Sequence, residues 1–159
     1  MLLVVADTGP IRYLVQIDRI DLLARLFEEI IPVVVADELR HPSAPAAVQA
    51  WINHPPDWLK VSLVTDIDDP VLDVLDPGER SAIALGLFLK ADLILIDDRK
   101  GASVARTKGF EITGTLGVLD LAAGRRLINL RDALNRLKRT NFRYRQKIMD
   151  ELLNQHEGE

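Results

Sequence analysis

The chain has 159 residues, 48% hydrophobic and 28% charged, with a formal net charge of −4, which suits one globular domain over residues 1–159 and excludes an intrinsically disordered chain. Having no cysteine, it can form no disulfide, zinc–thiolate centre or cysteine nucleophile. No apolar run reaches the roughly 18 residues of a membrane span. The first apolar run has no basic region before it and ends in Asp7, so it does not read as a signal peptide, and a cytoplasmic setting is expected. The charge is unevenly placed. Residues 1–80 hold 6 Lys/Arg and 14 Asp/Glu, and residues 81–159 hold 14 and 10. Nine of those bases lie between Arg125 and Lys147 beside one acid, Asp132. Such a segment is either a solvated helix face or a contact for an anionic partner.

Leu2 to Ala6 is a short continuous apolar run, the mark of a strand buried on both faces. Asp7 is the first charge, and Thr8-Gly9-Pro10 breaks the strand and opens a helix. Apolar positions from Ile11 to Phe27 follow helical spacing, with Asp18 or Asp21 at the start of a second helix. Ile30 and Ile31 read as a second strand. Pro32 argues against extending it through the valines that follow, so a short helix carrying Glu38 is expected. After a loop at 41–45, Ala46 to Asn53 is helical, and Trp58 to Val64 alternates as an edge strand does. The acidic stretch Asp66 to Pro70 reads as a turn. Asp76-Pro77-Gly78-Glu79 opens the clearest helix, to about Lys90. Leu93 to Ile96 is a buried strand ended by Asp97-Asp98-Arg99. Ala102 to Lys108 is a short helix closed by Gly109. Phe110 to Thr113 is the last strand. Helices follow from 114–117 to about Gly124, over Leu130–Arg139 and over Tyr144–Leu153; those from 130 to 155 pack on this core or on a partner. Residues 155–159 read as a frayed tail. Strands alternating with helices give an α/β fold with a mainly parallel sheet.

Asp7 and the pair Asp97/Asp98 directly follow apolar strands, and Glu38 and Glu79 lie on helices after strands or loops. In an open parallel sheet these places share the edge where ligands bind. Carboxylates gathered there repel and need a cation; all-oxygen donors without cysteine suit Mg²⁺ or Mn²⁺. The chemistry that fits is metal-assisted hydrolysis of a phosphodiester. Each acid also has a local reading: Asp7, Asp97 or Asp98 as helix caps, Glu79 as part of a capping box, Glu38 as a surface residue beside Arg40. The chain has no phosphate-binding lysine loop, no dinucleotide glycine motif and no serine elbow. His41, His54 and His156 lie in loops or the tail without metal-ligand spacing.

The ordered set VADTGP at 5–10, IPVVVADEL at 31–39, LDPGERSAIALG at 75–86, LILIDDRKG at 93–101 and GTLGVLDLA at 114–122 resembles the PIN-domain nucleases. It is similar to the VapC toxins of toxin–antitoxin pairs, in a less-studied branch. The resemblance implies a three-layer α/β/α sandwich and Mg²⁺- or Mn²⁺-dependent cleavage of RNA. It carries the family's acids onto Asp7, Glu38, Glu79 and Asp98, with Asp97 supporting. It further implies a homodimer and a small antitoxin whose segment covers the acidic site. Thr8, Arg80, Arg99, Lys100 and Thr115 are candidates for substrate binding or support. The sequence departs from the family at Gly9, where Asn or Ser is usual, and at Ile96, where a small polar residue is usual. The alternative to an enzyme is a PIN-like binding module for RNA or a partner protein, with weak or no turnover. A phospho-acceptor receiver fits less well, because its acidic pair follows the first strand, where this chain has Asp7 alone.

Overall fold

The computed structural model describes residues 1–65 and 67–156. Its sheet has five parallel strands in the order β3-β2-β1-β4-β5, where β1 is Leu2–Ala6, β2 Phe27–Pro32, β3 Lys60–Ser62, β4 Leu93–Leu95 and β5 Glu111–Thr113. The apolar opening run becomes the middle strand because only there are both of its faces covered. Val5 pairs in register with Ile30 on one side and Ile94 on the other.

Helices cover both faces. Val4, Ala6, Ile31, Leu93 and Leu95 point into the larger core. That core is closed by α1 (Thr8–Gln16), α2 (Leu22–Leu26), α3 (Val33–Arg40), α4 (Ala46–Asn53) and α7 (Thr115–Gly124). The C-terminal helices α8 (Leu130–Lys138) and α9 (Gln146–His156) bury Leu134, Leu137 and Met149 in the same core, so they pack on the domain itself. On the other face, Val5, Ile30, Ile94 and Ile96 meet Ala82 and Leu85 of α5 (Pro77–Leu89). A smaller cluster joins α5 through Ile83 to Leu72 of a 3₁₀ turn (Pro70–Val74) and to Val104 and Ala105 of α6 (Arg99–Thr107). The result is a three-layer α/β/α sandwich.

Several boundaries differ from the sequence reading. The second strand starts at Phe27 rather than Ile30 and absorbs two consecutive glutamates. The third is only Lys60–Ser62, since an edge strand has one neighbour to hold it. The helix after β4 starts at Arg99, not Ala102. The Asp98 side chain accepts the Gly101 N–H at 2.9 Å and draws the polar Arg-Lys-Gly into the first turn. Gly109 adopts φ +91°, as a helix terminator does. Gln155 and His156 belong to α9, and the His156 ring pairs with Asp120 at 2.6 Å rather than fraying. Residues 157–159, and Asp66 of the acidic turn, lie outside the described residues.

Glu29 shares the sheet face of its register partner Val4 and is only 1% exposed. Neither carboxyl oxygen has a hydrogen-bond partner among the described residues, and burial holds its pKa well above the usual range. A buried polar group left unpaired costs about 1–3 kcal/mol. Glu29→Met, similar in volume and apolar, is therefore expected to raise the melting temperature by roughly 5 °C. A scanning-calorimetry trace showing a fall would show that this carboxyl has a stabilising role.

Candidate active site

The strand order turns back between β1 and β4, the point in such sheets where a crevice opens beyond the strand ends. The two strands are stitched to their last residues. Ala6 pairs with Leu95, and the Asp7 N–H donates to the Leu95 carbonyl at 2.9 Å. Asp7 and Asp97 are thereby brought side by side at one edge.

Asp7 stands at the N-cap position of α1, yet its side chain makes no capping bond to the helix's inner turns. It is 8% exposed. Burial pushes its pKa up to about 7, against the pull of the Thr8 N–H and with the push of Asp76, Glu38 and Asp97. Glu38 reaches the same pocket from the second turn of α3. The Thr8 hydroxyl donates to its Oε2, so Thr8 holds both acids, the first through its N–H and the second through its hydroxyl. Burial raises the Glu38 pKa, opposed by Thr8 and by the Gly78 N–H, while Asp76 adds to the rise.

Glu79 enters from the first turn of α5 and is 7% exposed. Burial, a hydrogen bond to the Asp76 side chain and the charges of Asp76, Asp98 and Asp7 push its pKa up to about 8. Asp76 does cap α5, accepting the Glu79 N–H at 2.8 Å. It also acts on Asp7, Glu38 and Glu79. It is a fifth acidic segment of the pocket that sequence reasoning took only as a cap; the signal was its place three residues before Glu79.

The pair after β4 divides its work. Asp97 turns inward, and Thr115 at the start of α7 donates to it twice, from N–H and hydroxyl, each at 2.7 Å. Burial raises the Asp97 pKa, and these two donors oppose it. Asp98 caps α6 and faces Glu79. Gly9 leaves room beside Asp97, since a Cβ there would lie 3.4 Å from Oδ2. Ile96, the other departure from the family pattern, is packed into the core against Gly101.

The remaining candidates separate. Arg99 lines a groove that starts at Asp97 and Asp98. Lys100 donates to the Val74 carbonyl at 3.3 Å. Arg80 is occupied by Asp73 at 2.5 Å and the Ile67 carbonyl at 2.7 Å, so it fastens the loop before α5. The basic C-terminal segment divides too. Arg136 is held by Asp132 and the Ile17 carbonyl, whereas Arg143 and Arg145 line the groove.

Asp7, Glu38, Glu79, Asp97 and Asp98 have no Lys or Arg ion pair among the described residues, although three of them carry pKa values raised by each other's charge or that of Asp76. Such a set fits a hard divalent cation, which would relieve the repulsion. Among the described residues no three acidic or histidine side chains already form a finished metal cage. The fit therefore rests on donor chemistry and burial.

Gly78 makes the convergence of Glu38 and α5 possible. A Cβ there would fall 2.5 and 2.7 Å from the two Glu38 oxygens. Gly78→Ala is expected to displace Glu38 and cut turnover at this site about tenfold or more. Alanine suits a first helical turn, so the melting temperature should move by no more than about 2 °C. Unchanged turnover would show that the Glu38 position is immaterial.

This sheet order, with acids collected from separate segments at its switch point, defines an α/β/α domain with an acidic pocket at the strand ends. A family model described as a PIN domain (DUF3368) matches residues 3–158, and the chain belongs to the PIN-domain family. PIN domains are generally nucleases, and they typically use divalent metals. No curated protein and no solved structure matches the chain. Among the described residues no helix is long and apolar enough to cross a membrane.

Proposed function

We propose that the protein is a metal-dependent endoribonuclease, the toxin of a VapC-like toxin–antitoxin pair. The observation that carries this is the meeting of buried Asp7 and Glu79 with half-buried Glu38 and Asp97 and exposed Asp98, with no Lys or Arg ion pair to any of them among the described residues. Asp7, Glu38, Glu79 and Asp98 would hold Mg²⁺ or Mn²⁺, with Asp97 supporting. When bound, the cation supplies polarisation of a phosphate and an acidified water. The chain's own residues do the rest. The Thr8 hydroxyl and Gly78 N–H hold Glu38 in place, and Thr115 holds Asp97. Burial excludes bulk water from the Asp7 and Glu79 carboxyls and strengthens their field on whatever binds. Burial and the neighbouring Asp76 side chain hold the Glu79 carboxyl's pKa up at about 8, and a bound cation would favour its ionised form.

A small antitoxin covering the pocket, a homodimeric state and a cytoplasmic setting belong to the same reading. The test is cleavage of an end-labelled RNA by the purified protein with Mn²⁺, with EDTA, and by Asp7→Asn purified identically. Cleavage only by the unmodified protein with Mn²⁺ is expected; equal cleavage by both proteins would sink the assignment. The absence of a finished cage favours one other reading, a PIN-like module that binds without turnover. Calorimetric titration with Mn²⁺ separates the two, since no heat at millimolar metal supports the module.

A further inference from the structure

Strand β3 is an edge of the sheet and pairs on one side only, with β2. Its ladder ends where Ser62 meets Pro32, which has no N–H to give, and Leu63 and Val64 run on past it. Leu59, Val61 and Leu63 share one face of the strand. The larger core covers Leu59 and includes Ile31, the register partner of Val61, but goes no further along that face. Val61 is left 42% exposed and Leu63 84%, the highest figure for a large apolar side chain among the described residues. The stripe begins in the core and finishes in solvent.

The edge is also poorly guarded. Natural edge strands are commonly protected by a proline or by a charge beside the exposed apolar side chains. Residues 58–65 contain no proline. Their one charge, Lys60, lies on the opposite face, where it pairs with Glu28 at 3.4 Å. Among the described residues the backbone of 60–65 makes one hydrogen bond outside the β2 ladder, from the Ser62 hydroxyl to the Leu63 carbonyl at 3.1 Å. The outer N–H and C=O groups of the strand are open to another strand.

We propose that two copies of this chain join at this edge, β3 pairing antiparallel with β3 about a two-fold axis at Ser62, to make one continuous sheet. The segment's fit to itself argues for a second copy as the occupant. In that register Val61 opposes the partner's Leu63, and Leu63 opposes the partner's Val61, so the two exposed side chains cover each other. Lys60 opposes the partner's Val64, and no like charges meet. Because the strands run oppositely, the two acidic pockets, at the strand ends, lie at opposite edges of the joined sheet and both stay open. The contact is short, below the roughly 1,200 Å² of a firm interface, so the dimer forms reversibly in the micromolar range. The nuclease reading names a homodimer without a surface; this inference goes beyond it by supplying one.

The chain has no cysteine, so a single introduced thiol reports on its own neighbours. Directly opposite residues of antiparallel strands have Cα atoms about 4.5–5.5 Å apart, a span that a disulfide bridges. Under mild oxidation the full chain carrying Ser62→Cys should cross-link to a dimer at least about tenfold faster than Phe88→Cys, whose site on α5 is 79% exposed. Static light scattering on the unmodified protein, from about 1 to 200 µM, should show the mass rising from 17.8 kDa towards twice that. Val61→Lys/Leu63→Lys sets ammonium groups against one another across the axis and should remain at 17.8 kDa throughout. Leu63→Ser, a milder change, should weaken association about tenfold. Both positions are exposed, and circular dichroism checks that each variant is folded. The proposal is overturned if the unmodified protein stays at monomer mass, or if the lysine variant associates as the unmodified protein does. It is also overturned if Ser62→Cys cross-links no faster than Phe88→Cys, which would put any dimer contact on another surface. Mass and cross-linking are read without turnover, so failure here leaves the Mn²⁺ cleavage test standing, and failure of that test leaves this one standing.

Discussion

Asp7→Asn is expected to lower cleavage by about a thousandfold, or roughly 4 kcal/mol of transition-state stabilisation, while making the metal-free protein more stable. Both effects come from one feature. Asp7 is buried among Asp76, Glu38 and Asp97, and its carboxyl keeps a proton up to about pH 7. The amide fills the same space, carries no charge and ends the repulsion. It is also a far weaker ligand for a hard cation. Turnover at saturating Mn²⁺ and the melting temperature in EDTA at pH 8 would be measured on the same preparation. Activity above a tenth of normal, or a lower melting temperature, would remove Asp7 from the centre of the site. Gained stability with lost activity is the trade-off expected where function keeps like charges together.

The metal-free protein should lose stability as pH rises from about 5 to 8. The sign follows from proton counting. A carboxyl whose pKa is raised in the folded state holds more protons folded than unfolded, so unfolding becomes easier as pH climbs between the two values. For Asp7 the window runs from 3.8 to about 7, and for Glu79 from 4.5 to about 8. Glu38, Asp97 and Glu29 shift the same way. Asp69, whose pKa Lys108 lowers, acts in the opposite sense at the acid end. At about 1.4 kcal/mol per pH unit the loss is on the order of several kcal/mol. Thermal scans in EDTA should show it, and millimolar Mn²⁺ should restore stability at pH 8 while doing little at pH 5. A melting temperature that climbs from pH 5 to 8 in EDTA would contradict the burial of these acids.

The sheet's centre was legible because Leu2–Ala6 and Leu93–Ile96 are unbroken apolar runs, and no solvated element tolerates those. The strand containing Glu28 and Glu29 was not fully legible. Two adjacent glutamates signal solvent, and only tertiary packing forces Glu29 inward. Of the acids, the places of Asp7, Glu38, Glu79 and Asp97/Asp98 at one edge follow from strand-end position. Which acids cap and which converge does not, because both kinds occupy identical sequence positions: Asp98 caps a helix, and Asp7 at the same place does not. Asp76 was masked by its good capping motif. The groove was hidden for another reason. Residues 141–145 have no periodicity, and their position depends on Tyr13 and Phe142 meeting across more than a hundred residues of chain.

The middle strand of the sheet is also the first of its five strands to be synthesised. β1 must wait for β4 before its second edge is covered, and Asp7 must wait still longer for Thr115 to fix Asp97 beside it. A nascent chain that lacks α7 carries Asp7, Glu38, Glu79, Asp97 and Asp98 but not the Thr115 donors that hold Asp97. Synthesis order therefore sets assembly order: the acidic pocket is completed only after the segment carrying Thr115 has been made.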